Sequence, residues 1–230
     1  MKGFHNILMT RDRVFLLLIF FLIGCASTAN RVMPGYGRIN VARSTLGIIL
    51  IKKNIQILNA EDVARDMGKG GPEDAYYDFF GVEFPAAMKE CSKFAKVYFV
   101  PDGDEMLLQN AGAAIDNSAM RAALPSRKWC ISDSLNYLLI IDYLSISHER
   151  KTNTPVGGGS DGNFAGFFSG SESLTHSADF VVWDNKEGTI AAYGSIRERA
   201  GIYDGVTKPV WAEILKNMAR SVTDGMPYGR

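Results

Sequence analysis

The segment Leu135 to Arg150, LNYLLIIDYLSISHER, constrains the fold of this 230-residue chain more than any other. It is continuously apolar from Tyr137 to Ile141, and polar and apolar residues alternate after that. The first pattern is typical of a strand buried on both faces, and the second of a strand with one exposed face. We therefore predict one long strand that is central in its sheet at its start and exposed towards its end.

Further strands and a helix are predicted before this segment. Thr45 to Leu58 is rich in β-branched residues, which indicates one strand or two short ones bent near Lys52. Apolar residues recur at helical spacing from Phe84 to Ala95, and Pro85 suits the first position of such a helix. Val97 to Val100 predicts a short strand.

The C-terminal third predicts a hairpin and a helix. Phe180 to Arg197 alternates around a turn at Asp184 to Gly188, and Thr207 to Val222 has one apolar face. Together these elements predict an α+β fold: a mixed, mostly antiparallel sheet with two or more helices packed on one face.

The stretch from Cys130 to Val222 resembles the small periplasmic domains of lipoproteins such as the N-terminal domain of TolB and the periplasmic part of the curli secretion lipoprotein. The features that carry this resemblance are NYLLIIDYLSIS, then VVWDNKEGTIAAYG, then a final helix. The resemblance implies a periplasmic α+β domain and transfers no functional residue.

The N-terminus contains an apolar run of 11 residues, Val14 to Gly24. A membrane-spanning helix needs about 20 residues, so this run is too short to cross a bilayer. Basic residues precede it and small residues follow it, which is the layout of a secretory signal peptide.

The end of this run, Leu22-Ile23-Gly24-Cys25, resembles the lipobox of bacterial lipoproteins. The resemblance implies that the Cys25 thiol receives a diacylglycerol, that the signal is cut before Cys25, and that the new amino group is acylated, commonly with palmitate. Ala26, rather than aspartate, follows Cys25, which implies the periplasmic face of the outer membrane. We therefore expect a signal peptide at 1–24, a flexible tether at 25–43 and a single domain at 44–230 with a Gly-rich loop at 151–177.

Charge and cysteine content exclude some classes of protein. Removal of the first 25 residues leaves 22 basic and 24 acidic side chains, whereas a nucleic-acid-binding protein needs a dense basic face. No C-x-x-C pair is present. Cys91 and Cys130 are either a disulfide, which an oxidising compartment permits, or free thiols, with Cys91 on the apolar face of its helix.

The candidate catalytic residues are Ser160 and His176. Gly158-Gly159-Ser160-Asp161-Gly162 matches the G-x-S-x-G nucleophile motif, but no strand-to-helix turn is predicted around it. The simpler interpretation is a Gly-rich loop. No metal or cofactor site is predicted, because the three histidines lack the spacing of known ligand motifs.

The sequence favours a lipid-anchored envelope module that is not an enzyme and that binds an envelope protein partner. The alternatives are an envelope hydrolase that uses Ser160 and His176, and a small-ligand-binding module with its pocket between sheet and helices.

Overall fold

The computed structural model describes residues 30–59, 67, 70–101, 113–114, 121–125, 134–151, 171–202, 207–224 and 226–229. The strands within this part of the chain are β1 (Arg31–Val32), β2 (Thr45–Leu50), β3 (Gln56–Leu58), β4 (Lys96–Phe99), β5 (Ala113–Ala114), β6 (Arg121–Ala122), β7 (Tyr137–Lys151), β8 (Ser171–Asp184) and β9 (Thr189–Ile202). The helices are α1 (Pro72–Cys91) and α2 (Lys208–Thr223), and a short 3-10 turn covers Lys52–Asn54.

Seven strands form one open, mixed sheet in the order β1-β9-β8-β7-β2-β4, and β3 pairs with β7 beyond the end of β2. β7, β8 and β9 form a long antiparallel meander, whereas β2 is parallel to both β4 and β7. β5 and β6 pair separately. The predicted α+β class is confirmed, and so are the long strand, the interrupted strand at 45–58 and the C-terminal helix.

The start of β7 is the centre of the sheet. Leu138, Leu139, Ile140 and Ile141 are all at most 1% exposed. The side chains of Leu139 and Ile141 face the helices, and those of Leu138 and Ile140 face a smaller apolar cluster on the other side of the sheet. Burial on both faces explains why the sequence is continuously apolar here.

Both helices pack on the same face of the sheet. Their buried aromatic and aliphatic side chains share one apolar cluster with alternate residues of the strands. From α1 these include Tyr76, Phe80 and Phe84, and from α2 they include Trp211, Ile214, Leu215 and Met218. This face therefore holds the main core.

The predicted start of a helix at Pro85 is wrong, because Pro85 lies inside the 20-residue helix α1. Pro72 occupies the first turn instead. An interior proline removes one helical hydrogen bond and costs about 3 kcal/mol. Phe80 and Phe84, whose rings stack at 4.5 Å, are buried before the proline, and Met88 is buried after it. Their burial holds both halves of α1 on the core and offsets that cost.

The strand β8 begins earlier than the sequence predicted. Residues 171–177, assigned to the Gly-rich loop, pair with both β7 and β9. Leu174 and His176 point into the core and alternate with Thr175 and Ser177. Pairing on two sides stabilises a serine- and threonine-rich segment that has little strand character of its own.

A buried aspartate organises the irregular point of the sheet. β7 shifts register between Asp142 and Ser145, and Tyr143 has a positive φ of 49°. Asp142 is 1% exposed; Asn54 Nδ2 donates to its Oδ1 at 2.7 Å and the Ala123 backbone N–H to its Oδ2 at 3.0 Å. This carboxylate therefore joins the 3-10 turn, the β7 bulge and the segment after β6.

We expect Asp142→Ala to destabilise the domain by about 3 kcal/mol or more. The substitution leaves the Asn54 amide and two backbone N–H groups without their buried acceptor, and each such loss costs roughly 1–3 kcal/mol. Urea unfolding followed by circular dichroism measures the change. Asp179→Ala, which removes a single hydrogen bond from Ser195 Oγ on the same sheet, is the control and should cost much less. Equal losses in the two variants would contradict the role of Asp142.

Candidate functional site

The first described residues that follow Cys25 in the sequence are docked on the domain. Residues 30–41, which we call the docked segment, lie in the range predicted to be a flexible tether. β1 pairs with β9, the Tyr36 hydroxyl donates to Asp184 Oδ2 at 3.1 Å, and Val41 is 1% exposed. Burial and the Asp184 carboxylate raise the pKa of Tyr36, so its hydroxyl stays protonated. The structure differs from the predicted tether here, because apolar and polar contacts hold these residues in place.

Asn30 ties the beginning of the docked segment to the end of the chain. Its Nδ2 donates to the backbone carbonyl oxygens of Ser221 at 2.7 Å and Asp224 at 3.2 Å. The last carbonyls of a helix have no partner within the helix. Asn30 therefore satisfies carbonyl groups at the C-terminal end of α2 and fixes the first described residue to the domain.

Gly194 makes room for this contact. A Cβ at Gly194 would lie 2.4 Å from Asn30 Oδ1 and 2.8 Å from the Phe180 ring. Both are closer than real carbon contacts allow, so the position needs a residue without a side chain.

We expect Gly194→Ala to destabilise the domain by about 1–3 kcal/mol, because the added methyl group overpacks a filled site. Gly37→Ala is the matched control, since a Cβ there has no atom within 4 Å. Thermal unfolding of both variants measures the difference. If Gly194→Ala were as stable as Gly37→Ala, the close approach of Asn30 would be refuted.

A cleft of about 620 Å³ opens beside Asn30. It is bounded by the ends of α1 and α2, by β9 and by the C-terminal residues. The lining residues are Cys91, Glu198, Asn217, Arg220, Ser221, Thr223, Asp224, Met226 and Gly229. Ser221 and Asp224 line this cleft and also accept the hydrogen bonds from Asn30. The cleft and Asn30 therefore lie at the same corner of the domain.

Polar contacts within the protein occupy the charged groups around the cleft. Ser221 Oγ donates to Glu198 Oε1, and Arg220 contacts both Glu213 at 3.7 Å and Asn217. Lys216 and Glu90, 2.8 Å apart, join the two helices. The hydrogen bond from Lys216 lowers the pKa of Glu90, although both groups are exposed. The charged residues of the lining, Glu198, Arg220 and Asp224, are therefore of both signs.

His176 lies in the core between the two helices. It is 0% exposed, its ring centroid is 5.4 Å from that of Trp211 and 5.7 Å from that of Tyr76, and neither ring nitrogen has a hydrogen-bond partner among the described residues. Burial lowers its pKa from 6.5 to about 3, so the ring is neutral near neutral pH. In this position His176 is a packed aromatic residue, and solvent has no access to it.

The pKa of His176 predicts an acid-dependent stability. Between pH 6.5 and 3 the unfolded chain binds a proton at this position and the folded domain does not, so stability falls as the pH falls. The loss is about 1.4 kcal/mol per pH unit. His176→Phe keeps an aromatic ring against Trp211 and removes the titrating group. Urea unfolding at pH 7 and pH 5 should show a steeper loss for the wild type than for His176→Phe, and equal losses would contradict this assignment.

Of the other predicted site residues, the structure describes only Cys91. Cys25, Ser160 and Cys130 lie outside the described residues. The catalytic pairing of Ser160 with His176 therefore stays a prediction. Cys91 is half-buried at the end of α1 and faces the cleft. The disulfide between Cys91 and Cys130 therefore stays a prediction. Within the described ranges there is no group of three metal-binding side chains, and no helix there is long and apolar enough to cross a bilayer.

Sequence reasoning missed the docking residues Asn30, Gly194 and Ser221. Each is a common residue type in an unremarkable context, and only the fold brings them together across more than 160 positions. Asp142 did carry a signal, since it is a lone carboxylate at the end of the apolar run of β7.

Comparisons with known proteins identify no relative in sequence: no protein-family model matches, and no curated protein matches. Solved structures do match. The chain is similar to the PelC dodecamer protein of Paraburkholderia phytofirmans (TM-score 0.38, 10% identity, 87% of this chain and 99% of that chain). It is also similar to lipoprotein GNA1162 of Neisseria meningitidis (0.34, 13%, 78% and 97%) and to the hypothetical protein CT253 of Chlamydia trachomatis (0.35, 8%, 78% and 93%). Lipoproteins are thus among the structures similar to this chain, but likeness at these scores assigns no function.

Proposed function

We propose that this chain is an envelope lipoprotein, anchored through a lipid on Cys25, whose domain is a non-enzymatic binding or assembly module. The observation that carries the proposal is the position of Asn30. It is held on the folded domain by two hydrogen bonds from its side chain, five residues after the lipobox cysteine. The spacing suits a domain that works close to a membrane surface.

The reach of the anchor follows from covalent geometry. Five residues span at most about 18 Å when fully extended. Two or three acyl chains on Cys25 give stable attachment, because one chain binds a bilayer only marginally. A domain anchored in this way stays on the membrane surface. The outer membrane is the proposed location, from Ala26 at the position after the cysteine.

The burial of His176 favours a binding module over the hydrolase alternative. A general base must lie within hydrogen-bonding reach of the nucleophile and be accessible to substrate. His176 is enclosed by Tyr76 and Trp211, and its pKa is far below neutrality. A hydrolase built on Ser160 would need a different base. Replacing Ser160 by Ala should therefore leave any phenotype of the protein unchanged. A loss of function in that variant would instead support the hydrolase hypothesis.

The test of the anchor is Cys25→Ala in the full chain. The wild type should incorporate labelled palmitate, partition into the detergent phase of Triton X-114 and sediment with membranes. Cys25→Ala should lose the label and should not enter the detergent phase. Cys91→Ala is the matched control and should behave as the wild type. Membrane attachment that survives in Cys25→Ala would refute the lipid anchor.

The test of the binding role is chemical cross-linking in intact cells followed by purification of the tagged, lipidated chain. The proposal expects a defined cross-linked envelope protein or a defined oligomer. A chain that is strictly monomeric and yields no cross-linked species would count against a binding module.

A further inference from the structure

The docked segment meets the sheet at the edge formed by β9. β1 is antiparallel to β9, with Arg31 opposite Tyr193 and Val32 opposite Ala192. Asn30, the residue before Arg31, therefore lies beside Gly194, on the side of Tyr193 towards Ser195 and Arg199. Among the described residues, β1 is the only segment paired with this side of β9, and it covers two positions.

Three arginines lie along this edge and on one face of it. The Arg31 Nη1 donates to the Tyr193 hydroxyl at 3.4 Å, so the Arg31 side chain lies on the face that Tyr193 occupies. Alternate residues of a strand share a face, which places Arg197 and Arg199 on the same side as Tyr193. All three arginines are exposed. We call Arg31, Arg197 and Arg199 the arginine edge.

The opposite face confirms this assignment. Ile196, between Ser195 and Arg197, is 1% exposed and belongs to the core beneath the helices. The arginine edge is therefore on the face of the sheet opposite α1 and α2. The nearby acidic groups are Glu149, 3.6 Å from Arg199 with both side chains about half exposed, and Asp179, which accepts from Ser195 Oγ. An exposed pair such as Arg199 and Glu149 contributes little, so it leaves Arg199 able to bind another anion.

The arginine edge and the reach of the anchor have the same length. Asn30 lies beside Gly194, and at about 3.3 Å per residue Arg197 is roughly 10 Å from Gly194 along β9 and Arg199 roughly 17 Å. The five residues from Cys25 to Asn30 span at most about 18 Å. A lipid on Cys25 therefore keeps the bilayer within reach of these side chains. By contrast, β4 forms the far edge, five strand spacings or about 24 Å from β1, where the docked segment meets the sheet.

We propose that the arginine edge is the surface through which the domain meets the anionic lipid headgroups of the bilayer that anchors it. This inference rests on the proposed function, because it requires the lipid on Cys25. Guanidinium groups bind phosphate oxygens in pairs, and basic side chains near an anionic bilayer gain affinity additively. The lipid on Cys25 keeps the domain at the bilayer surface. The arginines then select the orientation in which β9 faces the bilayer and β4 faces away from it.

The experiment measures which edge lies nearer the lipid. The full lipidated chain, with Cys91 and Cys130 replaced by Ser, carries a nitroxide at Arg197→Cys or at Lys96→Cys. Lys96 is an exposed residue of the far edge. The protein is inserted into vesicles of phosphatidylethanolamine and phosphatidylglycerol that contain a nickel-chelating lipid. The nickel should enhance relaxation at position 197 several-fold more than at position 96. Equal enhancement, or greater enhancement at position 96, overturns the inference.

A second comparison tests the role of charge. In the protein labelled at position 197, Arg199→Glu should reduce the population with β9 at the bilayer roughly tenfold or more, because the change removes an attractive charge and adds a repulsive one. Lys93→Glu, at an exposed site near β4, should have no such effect. Vesicles without phosphatidylglycerol should show a smaller difference between positions 197 and 96. If Arg199→Glu leaves the enhancement unchanged, headgroup contact at this edge is refuted.

The two proposals fail separately. Mass spectrometry of the same preparation reports whether Cys25 carries the lipid. Absence of the lipid refutes the proposed function, and with it the reason for this orientation. A lipidated chain whose two labels are equally close to the nickel refutes only the arginine edge.

Discussion

The pairing of β7 with β2 on one side and β8 on the other is the constraint on which the rest of the structure depends. Its apolar start is buried on both faces, so the helices must cover one face and the apolar cluster around Trp183 the other. The two irregular segments of this region, one after β2 and one within β7, lie next to each other. The 3-10 turn after β2 and the bulge in β7 meet at Asp142, which supplies the acceptors that both irregular segments need. Along the rest of β7, the pairing with β8 continues without a shift in register.

Much of the fold could be predicted because its signals are local. The apolar run of β7, the β-branched residues of β2 and the amphipathic pattern of α2 depend only on neighbouring residues, and the structure confirms all three. The prediction at Pro85 was wrong because proline favours a helix start when only the local sequence is considered. The burial of Phe84 before Pro85 and of Met88 after it keeps the helix on the core across the proline. Tertiary packing of this kind has no signature in the local sequence.

The candidate site was harder to predict than the fold. Asn30, Gly194 and Ser221 matter only through contacts that the fold creates, and a single sequence records no trace of them. His176 is different. Its neighbours Leu174, Ala178 and Phe180 form an inward-facing row at alternate positions, and that row could have placed the histidine in the core. The nearby G-x-S-x-G motif suggested chemistry, but the alternation of β8 is the stronger physical signal.

The contact between Asn30 and the end of α2 also has a consequence for the order in which the molecule is completed. Asn30 and its acceptors on Ser221 and Asp224 are separated by 191 and 194 positions. A ribosome makes Asn30 long before Ser221 and Asp224, so this contact cannot form until synthesis has passed these residues. Contacts of such long separation are slow to form, since most of the chain must be ordered first. The docked segment therefore reaches its final position late in folding, because α2 must be in place before Asn30 can bind its carbonyl oxygens.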